Sequence, residues 1–512
     1  MTTRSDPFAA LLAIRNGDAV PWSRIPELSV AALHDVFVAA TDAELRIAAF
    51  FALRRGGDAG ALRMLAVLAD DAHSRLLLAG AHCPSLEVDS VTPRCPQAQL
   101  FEREMHEQFG LTPAGHPWLK PVRFARPLHA DPKTAASPSI GVADFYRLGG
   151  EGVHEVAVGP VHAGVIEPGH FRFQCHGEHV FHLEISLGYQ HRGVEEALLG
   201  GPSRGSIRQI ETIAGDTSIG HATAYCHALE ALAGRHVPAH AHVVRAIALE
   251  LERLANHCGD LGALAGDVGF LPTSAYCGRI RGDFLNLSAL LCGNRFGRSL
   301  VVPGGTRFGI DAAMAAELRS RLETARADVT SAVELLWTTP SVLARFENTG
   351  ALSSEIATVL GLVGPAARAC GEEFDVRADH PSGAFRFLQL PIATAQGGDV
   401  HARAFVRWLE IQRSIAYAQE LLSVLPAPAP APSREALVLA ADHVAVALVE
   451  GWRGEICHVA STDHSGRLDR YKVVDPSFHN WAGLAMALRG QEISDFPLCN
   501  KSFNLSYCGH DL

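Results

Sequence analysis

Two histidines flank a loop rich in glycine and proline between residues 159 and 170. His162 follows Gly-Pro-Val, and His170 follows Glu-Pro-Gly. Because imidazole titrates near neutral pH, both side chains could deliver protons into a cavity. The alternative is that both are hydrogen-bonded structural groups, which is the commoner role of an isolated histidine.

Carboxylates are dense on a predicted helix that ends near Gly110. Glu102, Glu104 and Glu107 could act there as general acids or bases. Charge runs on helices more often form a solvated face or a face toward another subunit. The composition of this segment therefore favours the structural interpretation.

A third cluster consists of Cys175, His176, His179 and His182. A tetrahedral zinc site needs side chains that converge. On extended chain we expect residues 176 and 179 to face opposite sides, with residue 182 beyond the turn. Zinc is therefore not favoured, and no metal site is predicted.

Composition limits the class of protein. The chain has 512 residues, 48% of them hydrophobic and 19% charged, which is enough to bury a large core in two or more domains. The net charge of -11 argues against sequence-independent binding to nucleic acid. Apolar runs such as 8–14 and 436–449 are too short or too interrupted to span a membrane. Eleven cysteines without a CxxC pair predict no disulfide framework and a reducing cytoplasm.

The order of segments predicts two domains joined by a linker. Residues 1–125 form the first domain, and the spacing of Leu62, Leu65 and Leu68 indicates helix within it. Residues 126–150 are rich in Pro, Ala and Ser and are typical of an exposed linker. Residues 151–512 form the second domain.

Within the second domain we expect a hairpin that turns at His176-Gly177, followed by a helix bundle. The predicted helices cover 208–232, 243–258, 312–336 and 400–425. The alternating proline segment 426–432 is typical of polyproline II, and two strands are predicted at 454–459 and 470–474.

Motifs in the first domain resemble those of a known family. Glu102-Arg-Glu104, a glycine at 110 and Gly115-His-Pro117 resemble the signature of the 30 kDa subunit of complex I. The resemblance implies an α/β domain that braces neighbouring subunits. No catalytic residue follows from it.

The second domain resembles the large subunit shared by complex I, its 49 kDa subunit, and group 4 NiFe hydrogenases. The matching segments are His191-Arg-Gly193, Glu250–His257, Pro303-Gly-Gly305, Asp375–Pro381 and Arg453-Gly-Glu455. Together the two resemblances imply an α+β chain that fuses two subunits. Its 30 kDa-like α/β domain would precede a mainly helical, hydrogenase-like domain with small β-sheets.

The family relationship also implies where nickel would bind. Group 4 hydrogenases hold the metal with two CxxC pairs, because soft thiolates suit nickel and its bridged iron. At the corresponding positions this chain has Ala214, Thr217, Asn504 and Tyr507, and Cys508 lies one residue from a ligand position. We therefore expect the chain to bind no nickel and no other cofactor of its own.

The relationship to complex I implies a quinone as the candidate electron acceptor. His170 matches the family's loop histidine if a short insertion follows His162, whereas the family's tyrosine position is Gly215. The predicted catalytic residues are His170, Asp216 and His162. Tyr225 or Tyr507 could approach the same cavity from another side.

Arg192 matches an arginine that lies beside the terminal 4Fe-4S cluster of the small partner subunit in this family. With His191 it is predicted to bind that cofactor region, where its charge would raise the cluster's reduction potential. The alternative is a surface salt bridge from Arg192 to Glu195 or Glu196.

The resemblance implies the large hydrophilic subunit of a membrane-associated oxidoreductase. Electrons from NADH or another donor would pass through an iron–sulfur small subunit to quinone or another acceptor. Antiporter-like membrane subunits would move ions, with this chain cytoplasmic, peripheral on the inner face of the cell membrane and without a span of its own.

The alternative function is a redox-inactive scaffold that couples another activity to those membrane subunits. The cavity beside the C-terminal tail distinguishes the two hypotheses. An open pocket lined by His170, Asp216 and His510 favours redox or proton chemistry. Filling of that space by Phe503 and Tyr507 favours the scaffold.

Overall fold

The computed structural model describes residues 7–55, 61–128, 138–387, 389–428, 432 and 437–512. Its N-terminal part is a sheet with order β1-β6-β5-β4, to which β3 adds beside β6. The elements are β1 (Leu12–Ile14), β2 (Ala19–Pro21), β3 (Glu27–Leu28), α1 (Val30–Asp42), β4 (Arg46–Arg54), β5 (Leu62–Asp70), β6 (Arg75–His82), β7 (Glu87–Asp89), α2 (Gln99–Phe109) and β8 (Thr112–Ala114).

The predicted helix at Leu62, Leu65 and Leu68 is wrong. These residues lie on β5, which pairs antiparallel with β4 and β6. Nearly every residue of β5 is buried, because the strand is covered on both faces. A continuous apolar run of this length fits a doubly covered strand as well as it fits a helix, and leucine spacing alone does not separate them.

The charged helix α2 ends as predicted, with Gly110 in the left-handed conformation at its C-terminus. The expectation of a solvated face is wrong, because Glu104 is fully buried and Glu102 is 3% exposed. Glu102 accepts hydrogen bonds from Ser90, Val91 and Thr92 and so holds the preceding loop.

Glu104 connects the two halves of the chain. It accepts from Lys472 Nζ at 2.6 Å and pairs with Arg123. Lys472 and Arg470 in turn bind Glu195, at 3.2 and 2.9 Å. These five buried side chains are called the inter-domain brace below.

The next part begins with a three-stranded antiparallel sheet, β11-β10-β9, formed by β9 (Val153–Val158), β10 (His170–His176) and β11 (His179–Ser186). The predicted hairpin is confirmed, with Gly177 at φ +57° in its turn. His176 and His179 pair directly across the hairpin, so the expectation that they face opposite sides is wrong.

A helical body follows and confirms the α+β class. Its elements are α3 (Val194–Ala197), α4 (Ser206–Ile210), α5 (Ser218–Ala233), α6 (Ala239–Asp267), α7 (Leu271–Cys292), β12 (Val301–Val302), β13 (Gly305–Thr306), α8 (Ala312–Trp337), α9 (Pro340–Phe346), α10 (Ser354–Leu360), α11 (Gly364–Arg368), α12 (Val376–Asp379) and α13 (Val400–Ser423).

The predicted helices over 243–258, 312–336 and 400–425 lie within or closely match α6, α8 and α13. The predicted helix over 208–232 is instead broken into α4 and α5. The loop between them, 211–217, is held by side chains from distant parts of the chain, as described below.

The C-terminal part contains β14 (His443–Gly451), β15 (Gly454–Thr462), β16 (Leu468–Val474), α14 (Pro476–Ala487), α15 (Phe496–Phe503) and α16 (Tyr507–Asp511). Both predicted strands are confirmed. The sheet order is β16-β15-β14-β2, so an N-terminal strand completes it, with Val20 opposite Val444. The predicted polyproline segment lies partly outside the described residues.

In the described ranges no helix is both long enough and apolar enough to cross a membrane.

Candidate functional site

Three segments that are distant in sequence meet at one place, called the junction below. They are the β9–β10 loop (159–169), the α4–α5 loop (211–217) and the C-terminal tail (504–512). Glu167 accepts a hydrogen bond from the Tyr507 backbone at 3.3 Å. Arg192 donates to the carbonyls of both the α4–α5 loop and the tail. The junction therefore contains all five predicted site residues or their direct partners.

The two loop histidines brace the β9–β10 loop at its base. His162 Nε2 bonds Gly169 O at 2.9 Å, and His170 Nδ1 bonds Gly159 O at 3.2 Å. The chain approaches so closely there that a Cβ on Gly159 would lie 2.1 Å from Gly169 O. Carbonyl oxygens only accept, so His170 Nδ1 carries a hydrogen in this arrangement.

The other ring nitrogen of His170 remains available. The residue is 9% exposed, and its Nε2 has no hydrogen-bond partner within the described part of the chain. With the hydrogen on Nδ1, neutral His170 can accept at Nε2, and the imidazolium can donate there. His170 thus has a ring nitrogen free to exchange a proton with a ligand.

Tyr507 presents a second unpaired group close by. A Cβ on Gly169 would lie 2.6 Å from the Tyr507 ring, which also packs edge-on against Trp481 with centroids 4.9 Å apart. The hydroxyl lacks a hydrogen-bond partner of good geometry among the described residues. Burial raises the pKa of Tyr507 to about 12, although the neighbouring Asn500 amide lowers it in part. The phenol therefore stays protonated and can donate.

Asp216 is fully engaged by Arg453. Its two oxygens accept from the guanidinium at 2.7 and 2.8 Å, and Thr217 Oγ1 donates to it at 3.0 Å. Burial raises the pKa of Asp216, but the Arg453 charge and the hydrogen bonds from Arg453 and Thr217 together lower it overall. Asp216 is thus an ionised anchor for Arg453 in this arrangement.

Arg453 also reaches the tail. Its Nε donates to Asn504 O at 2.5 Å, and the Asn504 amide donates to Asp260 at 2.6 Å. Asp260 is itself ion-paired with Arg407 at 2.8 Å. A polar network therefore runs from the α4–α5 loop through Arg453 into the tail.

The residues at the predicted nickel positions do not fit a nickel–iron centre. Ala214 offers no ligand atom, and Thr217 and Asn504 use their polar atoms in the Arg453 network. Cys508 is a poor substitute, because burial and the neighbouring Glu167 raise its pKa to about 12 and keep the thiol protonated. Soft metals need thiolates.

Arg192 binds three backbone carbonyls. Its guanidinium donates to Thr212 O, Ile213 O and Cys508 O at 2.5, 2.9 and 3.1 Å. The alternative of a salt bridge to Glu195 or Glu196 is wrong. Glu195 belongs to the inter-domain brace, and the Glu196 carboxylate lies 3.9 Å from Arg126 instead.

His191 and His510 both contact the last residues of the chain. His191 Nδ1 bonds Asp511 O at 2.7 Å, which ties the segment after β11 to the tail. His510 is 4% exposed, bonds the Asp511 carboxylate at 3.0 Å and stacks on Phe478. Among the described residues, no hydrogen bond joins His170, Asp216 and His510.

Sequence reasoning missed a buried polar chain behind the junction. Asp475 Oδ2 bonds His221 Nε2 at 3.0 Å, His221 Nδ1 bonds His458 Nε2 at 3.1 Å, and His458 Nδ1 bonds the Tyr471 hydroxyl at 2.8 Å. All four residues are at most 2% exposed. They come from α5, β15, β16 and the start of α14, so no local spacing could have indicated them.

In the parts of the chain that are described, no three His, Cys, Asp or Glu side chains are arranged to hold a metal ion. The hairpin residues considered as zinc ligands do not converge on one point. Cys175 is fully buried, and the His182 ring contacts Tyr146 and Trp118.

Comparison with known proteins finds a family match in each half of the chain. Residues 29–133 match the family described as respiratory-chain NADH dehydrogenase, 30 Kd subunit, and residues 267–442 match the 49 Kd subunit of the same enzyme. The order of the two matches agrees with the predicted order of the two folds.

Individual relatives cover most of the chain. Formate hydrogenlyase subunit 5 of Escherichia coli (strain K12) is 30% identical over 439 residues, which span 82% of this chain and 76% of that protein. The carbon monoxide-induced hydrogenase of Rhodospirillum rubrum is 31% identical over 355 residues, 69% of this chain and 97% of the relative.

A similar solved structure is a chain of the membrane-bound sulfane sulfur reductase, an archaeal respiratory membrane complex. The TM-score is 0.66 at 23% identity, with 71% of this chain and 99% of that chain covered. This likeness shows the fold.

Proposed function

Because the chain belongs to the family of complex I 49 Kd-like and hydrogenase large subunits, we propose that it is the large hydrophilic subunit of a membrane-associated oxidoreductase complex. It carries the 30 Kd-like region on the same chain. In this proposal electron transfer from NADH or another donor to quinone or another acceptor is coupled to ion translocation, without a nickel–iron site in this subunit.

The proposed partners are an iron–sulfur small subunit and antiporter-like membrane subunits, on the inner face of the cell membrane. The tip of the β9–β10 loop is a candidate surface for binding a partner subunit. Its apolar residues Val161, Val165 and Ile166 are 78%, 86% and 54% exposed. Arg192 is also exposed at the junction and has no carboxylate at ion-pair distance among the described residues. An unneutralised cation there suits a 4Fe-4S cluster in the partner.

One observation carries the redox proposal. His170 Nε2 is buried without a hydrogen-bond partner among the described residues, and the Tyr507 ring lies against Gly169, the residue before His170. Leaving a buried polar group unpaired costs about 1–3 kcal/mol, unless a ligand completes its hydrogen bonds. A quinone offers carbonyl oxygens that match two donors. Tyr507 would donate a hydrogen bond, and protonated His170 would give up the proton at Nε2.

The scaffold remains a second candidate, and a different observation favours it. Phe503 and Tyr507 are 3% and 5% exposed and pack into the core, while Asp216 is held by Arg453. This is the filled arrangement expected of a subunit that has lost its chemistry. In that case the chain would couple another activity to the membrane subunits.

Purification of the native complex with metal and quinone analysis separates these functions. The redox proposal expects quinone bound in an amount close to one per chain, lost in His170→Ala. An assembled complex that binds no quinone and keeps full activity in His170→Ala supports the scaffold.

Elemental analysis of the same preparation tests the missing nickel site. We expect no stoichiometric nickel, because thiolates are absent at the four ligand positions. Nickel near one atom per chain that disappears in Cys508→Ser, but not in the buried-cysteine control Cys499→Ser, would contradict the proposal.

A further inference from the structure

The buried chain from Asp475 to Tyr471 has one consistent set of hydrogen positions when both histidines are neutral. Asp475 accepts, so His221 carries its hydrogen on Nε2 and accepts at Nδ1. His458 must then donate from Nε2 and accept at Nδ1 from the Tyr471 hydroxyl. All three bonds point in one direction, from Tyr471 toward Asp475.

One additional proton reverses part of this order in a balanced way. A proton that arrives at the Tyr471 oxygen releases the hydroxyl proton to His458 Nδ1. His458 passes its Nε2 proton to His221 Nδ1, which becomes an imidazolium beside the Asp475 carboxylate. The result is one proton gained at His221, a changed tautomer at His458 and an unchanged tyrosine.

We propose that His221 is a proton-binding site that is loaded through Tyr471 and His458. The ligand is a single proton, and the site lies behind the junction at the first turn of α5. The inference concerns this chain alone and does not depend on the electron transfer proposed above.

The outer end of the path leads toward solvent. The Tyr471 ring contacts the Tyr225 ring, with centroids 5.9 Å apart. Burial raises the pKa of Tyr225, and a hydrogen bond with Ser206 opposes that rise. Ser206 Oγ lies 3.0 Å from Ser203 Oγ, and Ser203 is exposed. The serine hydroxyls thus lead from the surface to Tyr225, whose ring packs against that of Tyr471.

The inner end contacts the junction. A Cβ on Gly509 of the tail would lie 2.6 Å from Asp475 Oδ2, so the carboxylate is packed against the tail backbone. Asp475 is therefore both the counter-charge of His221 and a contact of the tail. A proton held at His221 is separated from the junction by this one side chain.

The surrounding charges place the added proton on His221. Burial and the adjacent His221 lower the pKa of His458 well below its ordinary value, so His458 stays neutral. Burial raises the pKa of Asp475, but its hydrogen bond with His221 and the Arg453 charge lower it overall, so Asp475 stays ionised. The other titratable groups that face the chain are Glu195 near His458, Tyr225, Cys226 and Cys457 near Tyr471, and Asp216 and His479 near Asp475.

Nitrogen NMR of the full chain with ¹⁵N-labelled histidine rings tests the site directly. On lowering the pH, we expect His221 to gain a second N–H while His458 moves its hydrogen from Nε2 to Nδ1, with one common midpoint. His257 is the internal control. It bonds Glu410 at 2.8 Å through Nε2, and its Nδ1 has no partner among the described residues, so it should not follow the transition.

Two variants test the direction of the path. Asp475→Asn removes the counter-charge, so at the same pH a smaller fraction of the molecules should carry the second N–H on His221. Tyr471→Phe removes the inlet and should slow proton exchange at His221 by about tenfold or more, while leaving most of the fold intact.

The wild-type spectrum alone can overturn the proposal. A His221 ring that never gains a second N–H while the chain remains folded, or a His458 tautomer that stays unchanged when His221 titrates, rejects it. Exchange in Tyr471→Phe as fast as in the wild type rejects loading through Tyr471.

Discussion

The inter-domain brace and the junction are both built from buried polar side chains, but they differ in how completely those side chains are paired. In the brace, Glu104, Arg123, Glu195, Arg470 and Lys472 each have a partner of opposite charge, and only the second oxygen of Glu104 lacks a hydrogen bond among the described residues. At the junction, His170 Nε2 has no hydrogen-bond partner and the Tyr507 hydroxyl has none of good geometry within the described residues, and neither side chain forms an ion pair. Buried ion pairs of the first kind indicate a structural function, whereas a buried neutral group without a partner leaves a place for a ligand.

The same difference separates the two groups of candidate residues. The carboxylates of α2 could have been acids or bases, and the structure uses them to join the halves of the chain. Both loop histidines bond a backbone carbonyl, and His170 also keeps one ring nitrogen free. Residue type alone did not distinguish these outcomes.

The largest expected effect is the loss of the brace. Lys472→Met leaves Glu104 and Glu195 buried with fewer cations, so it should lower the free energy of unfolding by about 3–5 kcal/mol. Chemical denaturation measures this loss. The matched control is Arg321→Met, which removes an exposed pair with Glu317 in α8 and should cost at most about 0.5 kcal/mol. Equal effects of the two variants would show that the brace is not structural.

Removal of the free nitrogen at the junction should affect activity more than stability. His170→Ala should reduce turnover of the assembled complex by roughly 10²-fold or more, the usual consequence of losing a general acid. His162→Ala loses a similar backbone hydrogen bond and should keep its activity. Steady-state rates with several acceptors provide the test, and equal, full activity in both variants would favour the scaffold.

Glu252, which lies next to Asp216, should make stability depend on pH. Burial raises its pKa to about 8, although the Ile219 and Gly220 amides, which donate to it, oppose the rise. A carboxyl with a raised folded pKa stabilises below its unfolded pKa and loses that contribution as pH rises. From about pH 4.5 to 8 the wild type should therefore lose roughly 1–3 kcal/mol relative to Glu252→Gln.

Denaturation at a series of pH values checks this slope. Parallel curves for the wild type and Glu252→Gln would mean that the carboxylate is already ionised at acid pH. It would then act as an anionic cap on the N-terminus of α5.

The smallest effect is electrostatic. Arg192→Met removes one positive charge from the exposed side of the junction and should lower the potential of the partner's nearest cluster by tens of millivolts. A redox titration of the assembled complex measures the shift. Arg208→Met, an exposed arginine on α4, is the control for a general change in charge. If the two variants shift the cluster potential equally, Arg192 acts only by holding backbone carbonyls at the junction.

The sequence predicted well where a turn residue or a long periodic run gave the signal, but not from the short leucine spacing of β5. The hairpin at Gly177, the end of α2 at Gly110 and the helices α6, α8 and α13 each follow from turn residues or periodicity within a few positions. The resemblance to the hydrogenase and complex I family also singled out the loop, the α4–α5 segment and the tail that form the junction.

Pairing over long distances could not be predicted in the same way. Glu104 is buried rather than solvated because Lys472, 368 positions away, reaches it. Asp216 is engaged because Arg453, 237 positions away, reaches it. The break before α5 has the same origin, since the loop is held from outside. Periodicity reports which face of an element is apolar, but not which charge will lie opposite.

The pairing of β2 with β14 has a consequence for synthesis of the chain. Val20 leaves the ribosome about 420 residues before Val444, the residue it faces in the finished sheet. At about 5–20 residues per second, the interval between them is about 20 to 85 s. During that time β2 has no strand to join, and the β14–β15–β16 sheet closes its edge only when the last fifth of the chain has emerged. The backbone groups of β2 therefore stay unpaired through most of the translation of each molecule. During this period a chaperone that covers β2 would prevent it from pairing with another chain.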